Sequence, residues 1–448
     1  MTYQRLIATL AALLLLAACG PADDNGDNGD NGDDPSADAP GEVVSSALER
    51  DTDPDVDDET FAALTADNRD FAFDLLDQIR GDEEEENAFV SPHSISIALA
   101  MIYAGAKNET RDQMAEALRF QLDDDELHPA FNRLDLELDR RSEVELEEDQ
   151  QLDLDIVNQT WGHEDFDFVD EYLDLLATQY GASQRLVDFI NDYEPVRQAI
   201  NEWVAAQTND RIEDLLPEDS LSDTTRFVLV NAIYFYGTWA DTFDEDMTRD
   251  GEFTLLDDST VDVEMMNEDR SLDALYDPEG ETTAVSLPYA GEEMSMILLK
   301  PSSAEDGFLG WEEQFDREHF DEVVGSMESQ RLMFSMPKFK DEANYEMSEI
   351  FEEMGMVDAL DDCDADFEGV TGHPPCLDFL SLYIDEIYHQ TFVEVDEEGT
   401  EAAGATGVVG DTPTSAPPSV DFNRPFYYAI YDHPTDSILF LGRMVDPS

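Results

Sequence analysis

Helical and strand patterns occupy different parts of the chain, and this order limits the folds that it can adopt. Apolar residues recur at helical spacing around 71–79, 110–118, 167–180 and 193–206. From about Phe227, short β-rich runs broken by Gly, Pro and Asp follow one another toward the C-terminus. Helices followed by many strands, without a strand–helix–strand rhythm, predict one α+β domain with large antiparallel or mixed sheets.

One predicted helix is apolar on nearly every side. It begins at Ser91 and Pro92, because Ser is a good N-cap and Pro suits the first turn. Ile95, Leu99 and Ile102 are among the apolar residues that surround its axis. We therefore expect this helix to be buried on most sides.

The N-terminus has the pattern of an export signal. Arg5 precedes an apolar run, Leu6–Leu16, that is too short to span a membrane comfortably. The following Ala17-Ala18-Cys19 completes a string that resembles a lipobox, where lipoprotein signals are cut before a lipid-modified cysteine. We predict a signal peptide over 1–18 and lipid attachment at Cys19, on the outer face of the cell membrane. Ordinary cleavage, which leaves a free thiol on a secreted protein, is the alternative.

An acidic linker is predicted over residues 19–58. The stretch from Asp23 to Asp34 consists of Asp, Asn and Gly, which cannot bury a core and therefore predict disorder. A calcium loop is disfavoured, because no Glu stands at the closing position of an EF-hand. We predict no metal site and no cofactor, and assign the globular domain to 59–448.

The chain is strongly acidic, with 109 Asp and Glu against 23 Lys and Arg and a formal charge of -86 over 448 residues. Such a surface repels nucleic acid and anionic lipid headgroups, so membrane contact is expected only through a lipid anchor. In salt of about 1 M or more the Debye length falls to about 3 Å or less, and carboxylates repel each other little. The charge favours a halophilic protein; a functional acidic surface is the alternative.

Strings of residues along the whole globular part resemble the serpin family of serine protease inhibitors. They are Asn87–Ile95, Leu229–Phe235 with Gly237 and Trp239, Leu287–Tyr289, Met336–Phe339, Glu397–Ala405, Phe422–Phe426 and Phe440–Arg443. The resemblance implies the serpin fold, in which N-terminal helices pack on large mixed or antiparallel β-sheets and a reactive loop is exposed. It also implies a metastable, extracellular monomer that is not an enzyme.

The resemblance identifies an inhibitory hinge near the C-terminus. Its residues are Glu397, Gly399, Thr400, Glu401, Ala402, Ala403, Gly404 and Ala405. The residues themselves support it. Thr400, Thr406 and Val408 occupy alternate positions at which every side chain is small or uncharged, while Asp411 lies at one of the positions between them. Alternate side chains of a strand face opposite sides, so this segment can become a strand with one buried face.

The serpin mechanism, as the resemblance implies it, uses this loop to trap a protease. The protease attacks the loop and forms an acyl-enzyme through its own serine. Residues 399–412 then insert into the main sheet, and the protease is distorted before deacylation finishes. The catalytic residues therefore belong to the partner.

The bond that is cut is predicted from the loop length. Counts from the two ends differ by one residue, giving Thr414–Ser415 or, less favoured, Pro413–Thr414. No Arg or Lys lies nearby, so an elastase-like or subtilisin-like target is expected rather than a trypsin-like one.

The resemblance also assigns residues that control opening of the sheet. Ser91, Ser94, Asn231 and His389 form a polar cluster beneath the sheet, where buried polar groups must be hydrogen-bonded. Trp239 lies where insertion begins.

Two further cysteines remain if the first carries lipid. Cys363 and Cys376 then form a disulfide outside the cell, or stay as two buried thiols.

Two other functions are weighed against inhibition. A non-inhibitory serpin fold, serving binding or chaperoning as a surface lipoprotein, would show bulky or charged residues on the buried parity, and none occurs up to Gly410. A hydrolase using Ser91 and His93 near Asp112 is disfavoured, because adjacent residues on one helix do not face each other.

We expect the native fold to be lost at low salt, because unscreened carboxylates then repel one another across the surface. The melting temperature, followed by circular dichroism, should rise with sodium chloride concentration. A melting temperature independent of salt would contradict this prediction.

Overall fold

The computed structural model describes residues 39–448 except 82–85, 145, 147–149, 209, 213, 304–306, 377–380, 386 and 401–416. Cys19, the hinge residues from Glu401 to Ala405, and Pro413, Thr414 and Ser415 lie outside the described residues.

The helices lie mainly in the first half of the chain, as predicted. They are α1 (Asp58–Arg80), α2 (Pro92–Tyr103), α3 (Asn108–Ala117), α4 (Asp124–Asp139), α5 (Asp170–Leu175), α6 (Phe189–Gln207), α7 (Phe308–Glu312), α8 (Arg317–Gly325), α9 (Ser348–Glu353) and α10 (Glu368–Thr371). The side chain of Ser91 accepts the Ser94 N–H at the start of α2, and Pro92 occupies the first turn. Every residue of α2 is buried, as its apolar sequence predicts.

The strands dominate the second half. They are β1 (Glu42–Val44), β2 (Ala88–Val90), β3 (Leu152–His163), β4 (Gln184–Val187), β5 (Phe227–Thr238), β6 (Arg249–Thr254), β7 (Thr260–Leu275), β8 (Thr282–Pro288), β9 (Met294–Pro301), β10 (Glu328–Pro337), β11 (Phe339–Glu346), β12 (Ile387–Val395), β13 (Gly399–Thr400), β14 (Ser419–Asp421), β15 (Phe426–Asp432) and β16 (Ser437–Met444).

The strands form two large sheets. One has seven strands in the order β1-β4-β3-β5-β13-β12-β11, and it is mixed, since β3 and β4 run parallel. The other follows the path β14-β10-β7-β8-β9-β15-β16-β2, with β6 paired to β7. This architecture confirms the prediction of an α+β fold with large mixed sheets.

The seven-stranded sheet is covered on both faces. Leu229, Ile233 and Phe235 of β5 join the main apolar core, which also contains the buried residues of α2. Val228 and Val230, on the opposite face of the same strand, belong to a second apolar cluster with α6. Alternate residues of β5 therefore face two different cores, as the pleat of a strand requires.

Residues 39–57 pack on the domain, so the predicted linker over 19–58 is wrong for this part. β1 pairs antiparallel with β4, and the Trp161 Nε1–H donates to the Pro40 carbonyl at 2.9 Å. Further along, the Asp51 N–H donates to the Thr178 carbonyl at 2.9 Å. The edge of a sheet offers unpaired backbone groups, and β1 satisfies them although the surrounding sequence is acidic.

Among the helices that the structure describes, none has the length and apolar character needed to cross a bilayer.

Candidate functional site: the opening of the seven-stranded sheet

The seven-stranded sheet is closed at one end and parted at the other. β5 and β12 pair directly and in parallel, from Leu229 opposite Ile387 to Ala232 opposite Gln390. Beyond these pairs the strands separate, and β13 lies between them. We call the end that β13 enters the upper end, and the end where β5 begins at Phe227 the lower end.

β13 contains the first residues of the predicted inserting segment, and it is paired on both sides. Thr400 lies opposite Gly237 of β5 and opposite Val395 of β12, antiparallel to each. The side chain of Thr400 is buried and shares a hydrogen bond of 2.8 Å with the Tyr289 hydroxyl. Thr400 has the parity that the sequence assigns to the buried face of the inserted strand.

Trp239 fixes the turn that leads into β13. Its ring stacks on Tyr289 with centroids 4.7 Å apart, and its Nε1–H donates to the Asp396 carbonyl at 3.0 Å. Its backbone N–H donates to the Glu398 carbonyl at 2.9 Å. Fully buried, Trp239 therefore holds the hinge turn from both its side chain and its backbone.

Glycine is required at the entry point because two backbones approach closely there. A Cβ atom on Gly399 would lie 2.2 Å from the Gly237 carbonyl oxygen and 2.7 Å from the Thr238 Cα. Both of those contacts are backbone atoms, which cannot move aside as a flexible side chain can. Any larger residue at 399 would push β13 away from β5.

An ion pair holds the hinge turn to the neighbouring strands. The Glu397 carboxylate accepts hydrogen bonds from the Thr248 hydroxyl at 2.6 Å and pairs with the Lys338 Nζ at 2.8 Å. An open cavity of about 580 Å³ lies beside the pair, lined by Glu245, Thr248, Glu264, Lys338, Asp396, Glu397 and Glu398. Most of these lining side chains are carboxylates, so the lysine neutralises part of a negative site.

The two partners keep each other charged. Burial alone would raise the pKa of Glu397, but the hydrogen bonds from Lys338 and Thr248 outweigh it and lower that pKa. Burial alone would lower the pKa of Lys338, but the bond to Glu397 and the nearby carboxylates raise it. For Asp396, burial raises the pKa even though its carboxylate accepts the Glu398 and Gly399 N–H groups.

A buried polar cluster lies halfway down the sheet, between α2 and β12. The Ser91 N–H donates to His389 Nε2 at 3.0 Å, and the Ser91 hydroxyl donates to the Leu439 carbonyl at 2.7 Å. The Ser94 N–H donates to the Ser91 hydroxyl at 3.4 Å. Because Nε2 accepts a hydrogen bond, His389 is neutral with its proton on Nδ1, and burial lowers its pKa to about 3.

The structure brings together most of the residues that the sequence assigned to sheet control. Ser91, Ser94 and His389 share one cluster, and Asn231 on β5 lies opposite His389 in the register of the sheet. Trp239 lies at the upper end, beside Gly399 and Thr400. The site therefore extends along one line, from the hinge turn down the join between β5 and β12.

Comparison with known proteins identifies this arrangement. The family model described as Serpin (serine protease inhibitor) matches residues 66–447. The chain belongs to the serpin family. Human Serpin B3 is 34% identical over 404 residues, which cover 86% of this chain and 100% of that relative. The leukocyte elastase inhibitor of Xenopus laevis is 34% identical over 380 residues, covering 84% of this chain and 97% of its own.

Solved serpin structures share the fold. Native tengpin, a thermophilic serpin, has a TM-score of 0.76 at 27% identity and covers 90% of this chain and 99% of its own. Maspin has a TM-score of 0.77 at 24% identity, covering 87% and 100%, a likeness that concerns the fold alone. As a serpin, the protein inhibits serine proteases, by the general mechanism of the family.

The hydrolase alternative has no constellation to support it. The Ser91 hydroxyl is bonded to the Leu439 carbonyl, and neither ring nitrogen of His93 has a hydrogen-bond partner within the described ranges. Burial lowers the pKa of His93 to about 4. The described residues therefore do not pair the Ser91 hydroxyl with His93 as a nucleophile with its base.

Cys363 and Cys376 form a disulfide, and their Cα atoms are 4.3 Å apart. Both residues are exposed, so the alternative of two buried thiols does not apply.

Sequence reasoning missed several side chains of this serpin's hinge site. Tyr289 and Lys338 were quoted only as family signatures, and Thr248 and Asp396 were not singled out at all. One signal was present: Lys338 is among only four lysines in a chain of 109 acidic residues. A lysine retained in such a background indicates a specific carboxylate partner, here Glu397.

Glu397→Gln should lower the melting temperature by an amount corresponding to about 1–3 kcal/mol, because Lys338 loses its charged partner. The pKa of Glu397 is lowered in the native state, so its stabilisation is present above the ordinary carboxyl pKa and is lost as pH falls through the lowered value. The gap in melting temperature between the wild type and the variant should therefore close in acid.

Glu328→Gln, at an exposed position on β10, is the matched control and should change the melting temperature little at any pH. A gap between the wild type and Glu397→Gln that stays constant from neutral to acidic pH would contradict the ion-pair account.

Proposed function

We propose that this serpin is an inhibitor and not an enzyme, and that it traps elastase-like or subtilisin-like proteases by inserting residues 399–412 between β5 and β12. The observation that carries the proposal is β13 itself. Gly399 and Thr400 of the inserting segment already pair with β5, and Thr400 also pairs with β12, in the antiparallel direction that insertion requires.

The register of β13 predicts where the rest of the segment goes after cleavage. Continued along both strands, it places Thr406 opposite Asn231 of β5 and opposite His389 of β12. Gly410 then lies opposite Phe227, the first residue of β5. The inserted strand therefore fills the whole length of β5 and reaches the lower end of the sheet.

The inward parity of this segment suits the core that it enters. Phe235, Ile233 and Leu229 of β5 already fill the space beneath the sheet, so only small side chains fit beside them. The segment supplies Ala, Gly, Thr and Val at those positions. Each new ladder hydrogen bond contributes about 0.5–1.5 kcal/mol net, and about ten residues pairing on two sides give on the order of 10 kcal/mol.

The target class follows from the loop sequence and from one relative. We place the cut at Thr414–Ser415, or at Pro413–Thr414, where no basic residue is available for a trypsin-like pocket. A similar protein carries the name leukocyte elastase inhibitor, which supports an elastase-like target for this chain as well.

The same proposal includes a location. We infer that the mature protein is a halophilic monomer, held outside the cell by lipid on Cys19. The apolar run Leu6–Leu16 and the lipobox-like string that ends at Cys19 support this location, and the acidic composition supports a halophilic protein.

The anchor is tested by Cys19→Ala, which removes the acceptor of the lipid. The variant should move from the membrane fraction to the medium, and metabolic labelling with a fatty acid should be lost. A variant that stays in the membrane fraction would contradict lipid anchoring and leave the inhibitory proposal unaffected.

Trapping is tested with an elastase-type and a subtilisin-type protease in high salt. The wild type should form a complex that resists sodium dodecyl sulfate at close to one protease per inhibitor. Thr406→Arg should be cleaved as an ordinary substrate without a stable complex, because a charge would have to enter the core beside His389.

Ala403→Arg is the matched control, since residue 403 has the outward parity and in this register lies opposite the partly exposed Phe392, and it should keep most of the trapping activity. Mass spectrometry of the cleaved chain gives the bond that is cut. Equal trapping by both arginine variants would refute insertion in this register.

A further inference from the structure

A disulfide-closed loop lies at the lower end of the seven-stranded sheet, far from the hinge. It belongs to the connection that runs from α9 to β12, and the Cys363–Cys376 bond encloses α10. Both cysteines are exposed to solvent, so a reductant can reach the bond. The established trapping mechanism does not use this loop.

The loop is seated firmly on the ends of α2 and α3. The Gly369 N–H donates to the Gly105 carbonyl at 3.0 Å, and the Lys107 N–H donates to the Asp366 carbonyl at 2.8 Å. A Cβ atom on Gly105 would lie 2.2 Å from a methyl carbon of Val370. The same Cβ atom would lie 2.7 Å from the Val370 backbone nitrogen, so there is no room for a side chain at residue 105.

Two hydrogen bonds connect this region to the other half of the sheet. The Val169 N–H, just before α5, donates to the Val370 carbonyl at 2.9 Å. The Thr225 hydroxyl, just before β5, donates to the Asp385 carboxylate at 3.2 Å. Val169 follows β3 and Thr225 precedes β5, whereas Asp385 directly precedes β12 and Val370 lies in the loop that leads to it.

Full insertion must disturb both of these bonds. β5 and β12 are neighbours at the lower end, and a strand placed between them doubles their separation from about 4.8 Å to roughly 10 Å. A hydrogen bond of about 3 Å cannot follow such a displacement unless the loop itself moves. The freedom of the loop therefore affects how readily the lower end opens.

We propose that the loop closed by Cys363 and Cys376 is a redox-controlled brace that resists opening of the lower end of the sheet. The disulfide restricts the conformations of residues 363–376 and keeps the Val370 carbonyl facing Val169. A dithiol reductant converts the bond to two cysteine thiols and is itself oxidised to a disulfide. The freed loop then loses its hold on Val169, and the uncleaved hinge segment, whose insertion is the proposed function, inserts more readily.

The test compares oxidised and reduced wild-type protein, below the unfolding transition and in high salt. Initial trapping of a protease by the oxidised form is measured first, which separates failure of the inhibitor from failure of the brace. Reduction should speed the spontaneous loss of trapping capacity about fivefold to tenfold, the factor expected from losing the Val169–Val370 hydrogen bond. The product should be a heat-stable, uncleaved, inserted form.

Hydrogen exchange gives a direct readout at the brace. Reduction should expose the Val169 amide to exchange, while amides of β16 in the core stay protected. Cys363→Ser/Cys376→Ser should behave like the reduced wild type and should not respond to reductant.

A second variant separates the brace from the redox chemistry. Gly105→Ala leaves the disulfide intact but dislodges α10, so it should lose trapping capacity quickly even when oxidised. The proposal is overturned if reduction leaves both the rate of loss and Val169 protection unchanged. It is also overturned if the reduced protein unfolds or aggregates without yielding the heat-stable form, because the disulfide then stabilises the fold only in general.

Discussion

The parallel pairing of β5 with β12 is the join on which the rest of the structure depends. Among the described residues it extends over four pairs, and parallel pairing is slightly weaker per residue than antiparallel pairing. A strand that enters between them runs antiparallel to both, as β13 already does. Opening the sheet therefore replaces one short parallel ladder with two antiparallel ones. Buried backbone groups are paired in either arrangement, which allows the same chain to have two stable sheets.

Different interactions hold this join at its three levels. At the upper end, the stacked rings of Trp239 and Tyr289 and the charged pair of Glu397 with Lys338 fix the hinge turn. In the middle, a neutral His389 accepts a hydrogen bond from Ser91 at the start of α2, so the imidazole brings no charge beneath the strands. At the lower end, the Val169–Val370 backbone hydrogen bond connects the disulfide-closed loop to the segment that follows β3. Each level has its own chemistry, so each responds to a different change: the upper end to acid, and the lower end, in the proposed brace, to reductant.

Local patterns predicted the elements of this fold better than their connections. The cap and apolar surface of α2, and the alternation from Thr400 onward, are properties of neighbouring residues, and they could be interpreted without a structure. The strands β3 and β4 lie within the part whose periodicity predicts mainly helices. β1 is a strand because it pairs with the edge of a sheet whose residues are distant in sequence. The pairing of Lys338 with Glu397 and of Val370 with Val169 joins positions far apart in sequence. No short-range periodicity encodes such contacts.

The seated position of Gly399 and Thr400 bears on the kinetics of the protein. Starting a new strand is the slow step, because chain entropy is lost before neighbouring bonds compensate for it. Here the first pairs exist before any protease arrives, so insertion begins by extending a strand that is already formed. Whether insertion finishes before the acyl bond is hydrolysed then depends on how fast further residues pair beyond β13. It does not depend on how long the first pair takes to form.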